Sequence, residues 1–194
     1  VYNGVDYKLV YDYNYYINKY PDIKAAFNGD ENATLRHFVE CGMNEGRQGK
    51  ASFNVAAYRA NYADLRSAFG RNLKAYYMHY IGSGYREGRK ATGNGVLKNP
   101  VTVYNGVDYS LVYDYNYYIS KYSDLKAAFY GDDTAALRHF VECGMNEGRQ
   151  AKDSFNVKKY KNRYNDLQNA FGNDLKSYYM HYIGSGYKEG RKGN

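Results

Sequence analysis

The sequence predicts an all-α protein: four tandem helical repeats of about 42 residues, arranged as two near-identical two-repeat domains. Three observations predict it. Displaced by 102 residues, Val1–Lys90 falls on Val103–Lys192 without a gap and matches at 68 of 90 positions. Displaced by 42, Tyr11–Arg47 falls on Phe53–Arg89, again without a gap. Within each repeat the apolar spacing is helical, since Tyr16, Tyr20, Ile23 and Phe27 are separated by 4, 3 and 4 residues and share one face.

The repeats therefore cover 11–47, 53–89, 113–149 and 155–191. A shared pattern runs through them: Tyr-x-x-x-Tyr-x-Asp-(Ile/Leu)-x-x-Ala-Phe, then His-(Phe/Tyr)-(Val/Ile)-x-x-Gly-x-x-Glu-Gly-Arg. One register held four times is the mark of a repeat architecture. Pro21, and Ser123 in its place, suit a helix restart, Pro at a first turn and Ser as a cap. Asn28-Gly29-Asp30 ends that helix, and a following helix carries Leu35, Phe38 and Val39. Gly42 sits where a helix C-terminal stop falls, and Gly46 makes the exit turn. Each repeat thus holds two or three short helices.

A 42-residue repeat is near the lower limit for independent folding, so two share a core. The domains are 1–90 and 103–192, with 91–102 as a linker that lacks periodicity. Val1–Val10 and its copy Val103–Val112 precede the first repeat of each domain. Asn3-Gly4 and Asn105-Gly106 mark turns there, and both segments read as extended lead-ins packed on the helices.

Composition narrows the function classes. Net charge is +7, which favours acidic partners, yet Lys and Arg form no basic run and no nucleic-acid-reading motif is present. No apolar run is long enough to span a bilayer, so membrane insertion is not expected. The chain begins without Met or a signal-peptide pattern and reads as a piece of a longer protein. Cys41 and Cys143 are too few for a disulfide scaffold, align with Ser83 and Ser185, and read as free, partly buried thiols.

His37, Asp22 and Glu45 recur in all four repeats. An active site is normally built once, from non-equivalent residues, so fourfold recurrence argues for a structural task. Asp22 is expected to cap a helix or pair with Arg47, and His37 to bond the backbone of a neighbouring turn. No ligand spacing suggests a metal, and no cofactor is expected.

Tyrosine is the commonest aromatic, with 27 residues against no Trp. Tyr16, Tyr20 and their equivalents are aromatic in every repeat and read as core; Tyr13, aligned with Val55 and Val157, also reads as buried. Tyr15 and Tyr117 align with Ala57 and Lys159, and Tyr76 and Tyr178 with Thr34 and Ala136, so these four read as exposed. Val1–Tyr20 differs from its copy only at Lys8 and Asn18, whereas Ala56–Ala63 differs at six of eight positions. The lead-in and first helix therefore look constrained on their outer side too. Tyr2, Tyr7, Tyr104 and Tyr109 join Tyr15 and Tyr117 as a candidate ligand face, because an exposed Tyr is a stiff, polar-tipped contact group.

The string Tyr62 to Gly70 (Tyr-x-Asp-Leu-x-x-Ala-Phe-Gly) with His79 to Arg89 (His-Tyr-x-x-x-Gly-x-x-Glu-Gly-Arg) resembles tandem repeats of secreted bacterial surface proteins and of the non-catalytic tails of peptidoglycan hydrolases in gut Gram-positive bacteria. The lead-in Tyr2-Asn3-Gly4-Val5-Asp6-Tyr7 resembles those tails as well. The resemblance covers nearly the whole chain. It implies an extracellular or cell-surface location and a binding or spacer role without catalytic residues. The expected partner is a host protein, with immunoglobulin the leading candidate by analogy of architecture. The alternatives are a cell-wall polymer or a passive stalk, and the chain itself is expected to be monomeric.

Overall fold

Asp and Asn at two fixed registers start the helices. In the computed structural model, which describes residues 1–27 and 29–194, Asp12 and Asp114 accept the backbone N–H three residues on at 2.8 Å, and Asn54 and Asn156 do so at 3.1 Å. These caps open α1 (Tyr13–Lys19), α4 (Val55–Asn61), α7 (Tyr115–Lys121) and α10 (Val157–Arg163). Asp30, Asn72, Asp132 and Asp174 cap the third helix of each repeat in the same way: α3 (Glu31–His37), α6 (Leu73–His79), α9 (Asp133–His139) and α12 (Leu175–His181).

Between them lie α2 (Pro21–Phe27), α5 (Ala63–Phe69), α8 (Ser123–Phe129) and α11 (Asn165–Phe171). The break before each is a tyrosine in extended backbone, Tyr20, Tyr62, Tyr122 or Tyr164. Ser123 is therefore the first residue of α8 and not its cap; Tyr122 holds the cap position and makes no side-chain capping bond. Each α-helix is seven residues, too short to persist alone, so its stability comes from packing. The protein is all-α, with the repeated helices in two halves and, among the described residues, one two-stranded hairpin, β1 (Val103–Tyr104) against β2 (Val107–Asp108). That hairpin turns at Asn105-Gly106, both at positive φ, as are Asn3-Gly4 in the first lead-in.

The third helix of each repeat runs into a π-helical turn: Phe38–Gly42, Tyr80–Gly84, Phe140–Gly144 and Tyr182–Gly186. The glycine is there for space and not to stop the helix. A Cβ on Gly42 would lie 2.7 Å from the Tyr16 hydroxyl, and one on Gly84 only 2.1 Å from that of Tyr58. The residue in the left-handed region is Gly46, with φ +74°. Each repeat then closes on itself. The backbone N–H of Asp12 bonds the carbonyl of Gly49, and Asn54, Asp114 and Asn156 bond Ala91, Ala151 and Gly193, all at 2.8 Å.

The compact units are Val1–Asn99 and Pro100–Asn194. Ala91 and Leu97 are buried, and Arg66 donates to the carbonyls of Lys98 and Asn99. The stretch after Lys90 is thus held on the first unit. Within each unit one tyrosine joins the two repeats. Tyr77 packs edge-on to Phe38 and at a tilt to Phe53, with ring centroids 5.8 and 5.0 Å apart, and donates to the carbonyl of Arg47. Tyr179 does the same between Phe140 and Phe155, donating to Arg149. Such ring pairs contribute about 0.5–1.5 kcal/mol each beyond area burial.

The glycine contacts yield a paired test. Gly84→Ala should destabilise the protein by about 1–3 kcal/mol, because Tyr58 is fully buried and cannot retreat. Gly82→Ala, two residues earlier and with nothing within 4 Å of its added carbon, should be neutral or stabilising by up to about 1 kcal/mol. Urea melts of the two variants give the comparison.

Candidate functional site

The polar residues of the repeat motif converge on one clasp, built four times. Tyr16 is fully buried and its hydroxyl meets His37 Nδ1 at 3.3 Å; Tyr58, Tyr118 and Tyr160 meet His79, His139 and His181 at 2.9, 3.2 and 2.9 Å. A buried phenol left unbonded would cost about 1–3 kcal/mol. The histidine thus partners a tyrosine hydroxyl, not the backbone of a turn as expected from sequence. Four residues after each buried tyrosine, the Tyr20, Tyr62, Tyr122 or Tyr164 hydroxyl accepts the backbone N–H of residue 48, 90, 150 or 192.

The motif arginine lies over that second ring. Arg47 is 5.0 Å from the Tyr20 centroid, donates to Asp22 at 2.7 Å and to Glu45 at 2.5 Å. Arg89, Arg149 and Arg191 repeat the arrangement with Asp64 and Glu87, Asp124 and Glu147, and Asp166 and Glu189. The pairing of Asp22 with Arg47 agrees with the sequence reading. Hydrogen bonds from the arginines hold the Asp22, Asp124 and Asp166 carboxyls below the usual carboxylate range. Burial pushes the phenols of Tyr16, Tyr58, Tyr118 and Tyr160 well above theirs.

Against this clasp the nominated ligand tyrosines divide into three groups. Tyr15 and Tyr117 are half-exposed. Each hydroxyl accepts from a lysine four residues on, Lys19 or Lys121, at 3.0 Å, and that ammonium lies 5.3 or 5.1 Å from the ring centroid. The same lysine donates to Gln48 or Gln150, so ring, ammonium and amide form one surface cluster per unit. Beside Tyr117, a depression of about 270 Å³ is lined by Asp114, Lys152, Asp153 and Ser154. Tyr2 and Tyr104 are also half-exposed, and each hydroxyl donates to a carboxylate, Glu40 or Glu142, at 2.5 Å.

The remaining four are corrections. Tyr7 and Tyr109 are core residues, 5% and 4% exposed, because the turn of each lead-in folds them under the helices. Tyr76 and Tyr178 are fully buried. Alignment with Thr34 and Ala136 suggested a surface position, yet Thr34 and Ala136 are fully buried too. The position exchanges size with another. In the second and fourth repeats small Val55 and Val157 leave room, and Tyr76 and Tyr178 enter, donating to the carbonyls of Gly70 and Gly172. In the third repeat Ala136 is small, and Tyr115 enters from α7 instead, donating to Phe129 O and accepting from Gly131 N. Tyr115 is thus buried, while Tyr13, its counterpart in the first repeat and the one read as buried from its alignment with Val55 and Val157, is only half-buried.

Sequence reasoning also missed the most exposed tyrosines, Tyr85 and Tyr187, at 57% and 56%. They align with Met43 and Met145, which are fully buried, so alignment points the wrong way. Cys41 and Cys143 are free thiols, but exposed and not partly buried, since they fall on the outer side of the π-turn. Among the described residues no three His, Cys, Asp or Glu side chains gather closely enough to hold a metal ion, and no helix is long and apolar enough to cross a membrane. No family model matches the chain, and neither the curated proteins nor the solved structures gave a significant match.

The titrating groups define a stability window. The depressed aspartates contribute above the unfolded value near about pH 4, and that contribution is lost as pH falls. The raised phenols work in the opposite sense: their neutral form is favoured in the fold, so stability holds below about pH 10 and is lost as pH rises further. Melting temperature should therefore form a plateau between those limits. At the alkaline edge, the ultraviolet absorbance of tyrosinate should rise in step with loss of helical circular dichroism for the buried class. A complete rise, with the buried class ionised while helical circular dichroism is still intact, would contradict the clasp.

Proposed function

We propose that the chain is a non-catalytic, bivalent binding module of a secreted bacterial surface protein, presenting two equivalent tyrosine faces to a host protein, with immunoglobulin the leading candidate. One observation carries the reading. The motif residues that carry usable chemistry, the His, Asp, Glu and Arg of each repeat, are engaged in the fourfold clasp, whereas the Tyr15, Lys19, Gln48 cluster and its copy Tyr117, Lys121, Gln150 face outward with matching geometry. A tyrosine held by a lysine at its tip and along its ring loses little conformational freedom on contact with a partner. Two such faces on one chain raise avidity through effective concentration.

A second reading, attachment to an anionic cell-wall polymer, draws support from Lys19 and Lys121 beside those rings and from the net charge of +7. Capture of purified immunoglobulin, against sedimentation with purified cell walls, separates the two.

The binding face has a direct test. Tyr15→Ala and Tyr117→Ala should change melting temperature little, since surface substitutions usually cost no more than about 0.5 kcal/mol. Each should lower affinity for the captured partner by an amount typical of an aromatic anchor, about 1–4 kcal/mol. The single variants should leave a one-site binder and the double variant none. Unchanged affinity in the double variant would remove these residues from the site. By contrast, Tyr76→Ala should lower stability by about 3 kcal/mol or more, as a buried aromatic truncation does.

A further inference from the structure

The two tyrosine faces match in geometry and differ in charge. Tyr15, Lys19, Gln48 and Lys50 recur as Tyr117, Lys121, Gln150 and Lys152. Two neighbours change: Ser110 stands in place of Lys8, and Asp153 in place of Ala51. Hydrogen bonds tie both positions to the tyrosine cluster. Gln48, which accepts from Lys19, donates its amide N–H to the carbonyls of Lys50 and Ala51 at 3.0 and 3.4 Å. Lys50 Nζ in turn reaches the carbonyl of Lys8 at 2.7 Å. The second unit repeats each link: Gln150 donates to Lys152 and Asp153 at 3.1 and 3.4 Å, and Lys152 donates to Ser110. Asp153 also lines the depression beside Tyr117. Lys8, Ala51 and Asp153 are exposed.

One replacement removes a positive charge and the other adds a negative one, so these two positions make the second face less positive by two formal charges. The other charges at the two faces are shared. Asp6 pairs with Lys8 at 3.1 Å, and its copy Asp108 accepts from Ser110. Asp12 and Asp114 cap α1 and α7 alike. On α10, Lys159 takes the place of Ala57 and donates to Asn194, whose amide holds the Asp153 carbonyl. With Lys159 included, the second face is still the less positive. Lys158 runs beside Gly148, next to Leu175 at the start of α12. Surface charge acts over about 10 Å at 0.1 M salt, and its sign selects partners more than it raises affinity.

We propose that the two faces select different partner surfaces: the Tyr15 face takes an acidic segment of a protein, the Tyr117 face rejects it, and the residues at 8 and 51 against those at 110 and 153 decide which. This deepens the reading of Tyr15 and Tyr117 as partner anchors and rests on it for its biological meaning. On the first face the ammonium groups of Lys8 and Lys19 flank a ring with no carboxylate at position 51. On the second, Asp153 sets a carboxylate beside the ring, and a partner carboxylate placed there meets like charge. The aromatic anchor is common to both faces, and the charge beside it is the discriminating element.

The test uses the full 194-residue chain and follows the side-chain amide signals of Gln48 and Gln150 by nuclear magnetic resonance. The probe is a hexaglutamate peptide with blocked ends at low salt, and hexaglutamine is the uncharged control. The expected result is a saturable shift at Gln48, about tenfold or more tighter than any at Gln150, equal to about 1.4 kcal/mol. It should be absent with hexaglutamine and fade at high salt. Exchange variants carry the decision. Lys8→Ser with Ala51→Asp should reduce the Gln48 response to that of Gln150. Ser110→Lys with Asp153→Ala should give Gln150 the response of Gln48. None of the four positions is buried, so both variants should keep the parent melting temperature. Equal responses at Gln48 and Gln150 in the parent chain would overturn the proposal, and so would responses that ignore the exchanges. The peptide reads charge alone, so the anchor reading fails separately: unchanged immunoglobulin capture by the chain carrying both Tyr15→Ala and Tyr117→Ala would count against the anchors and not against the charge selection.

Discussion

A tyrosine hydroxyl buried against a glycine is the contact on which each repeat depends. Tyr16 reaches across its repeat to the turn at Gly42, where only a hydrogen in place of a methyl leaves room for the phenolic oxygen. That oxygen then requires a partner, and His37, at the junction between helix and π-turn, supplies it. The wide turn, the glycine and the histidine are one solution to placing a polar tip inside an apolar cluster. The next tyrosine in the helix seals the repeat: its hydroxyl takes the N–H of the exit strand, and the arginine over its ring binds Asp22 and Glu45. Helices of seven residues have little stability of their own, and this closed ring of contacts is what holds them.

The use of tyrosine throughout follows from the same constraint. A small repeat has little volume in which to build a core, and a large ring fills it with few residues. Each ring brings a hydroxyl that must be satisfied, and backbone carbonyls and N–H groups at helix ends are the available partners. Tyr76 and Tyr178 end on the carbonyls of Gly70 and Gly172, Tyr77 and Tyr179 on those of Arg47 and Arg149. The hydroxyls of Tyr76 and Tyr178 therefore satisfy helix-terminal carbonyls, and those of Tyr77 and Tyr179 satisfy carbonyls of the exit segment past the π-turn. Functional tyrosines have to be sought among those whose tips face outward, and there the lysine-supported Tyr15 and Tyr117 stand apart from the core set.

Much of this was legible from residues alone. The repeat, its register, the helical class and the ion pair between Asp22 and Arg47 follow from spacing, because a fourfold pattern fixes which positions must meet. Exposure was legible at Tyr15, whose aligned position accepts a lysine at Lys159, and not at Tyr76, whose aligned Thr34 is small but buried. The reason is that size is exchanged within a repeat, Val55 with Tyr76 in the second and Tyr115 with Ala136 in the third, so neither position taken singly reports it. Met43 and Tyr85 make the same point in reverse, one position buried in one repeat and open in the next.

The sequence by itself thus determined the helical class, the repeat register and the meeting of Asp22 with Arg47, which rest on positions repeated in strict register, but not the caps or the partner of His37. The tertiary structure alone decided which equivalent side chains reach water. Tyr13 and Tyr115 sit in nearly the same local sequence, yet one is half-buried and the other is 2% exposed. Burial is set by what lies across space, and periodicity within a repeat carries no information about that.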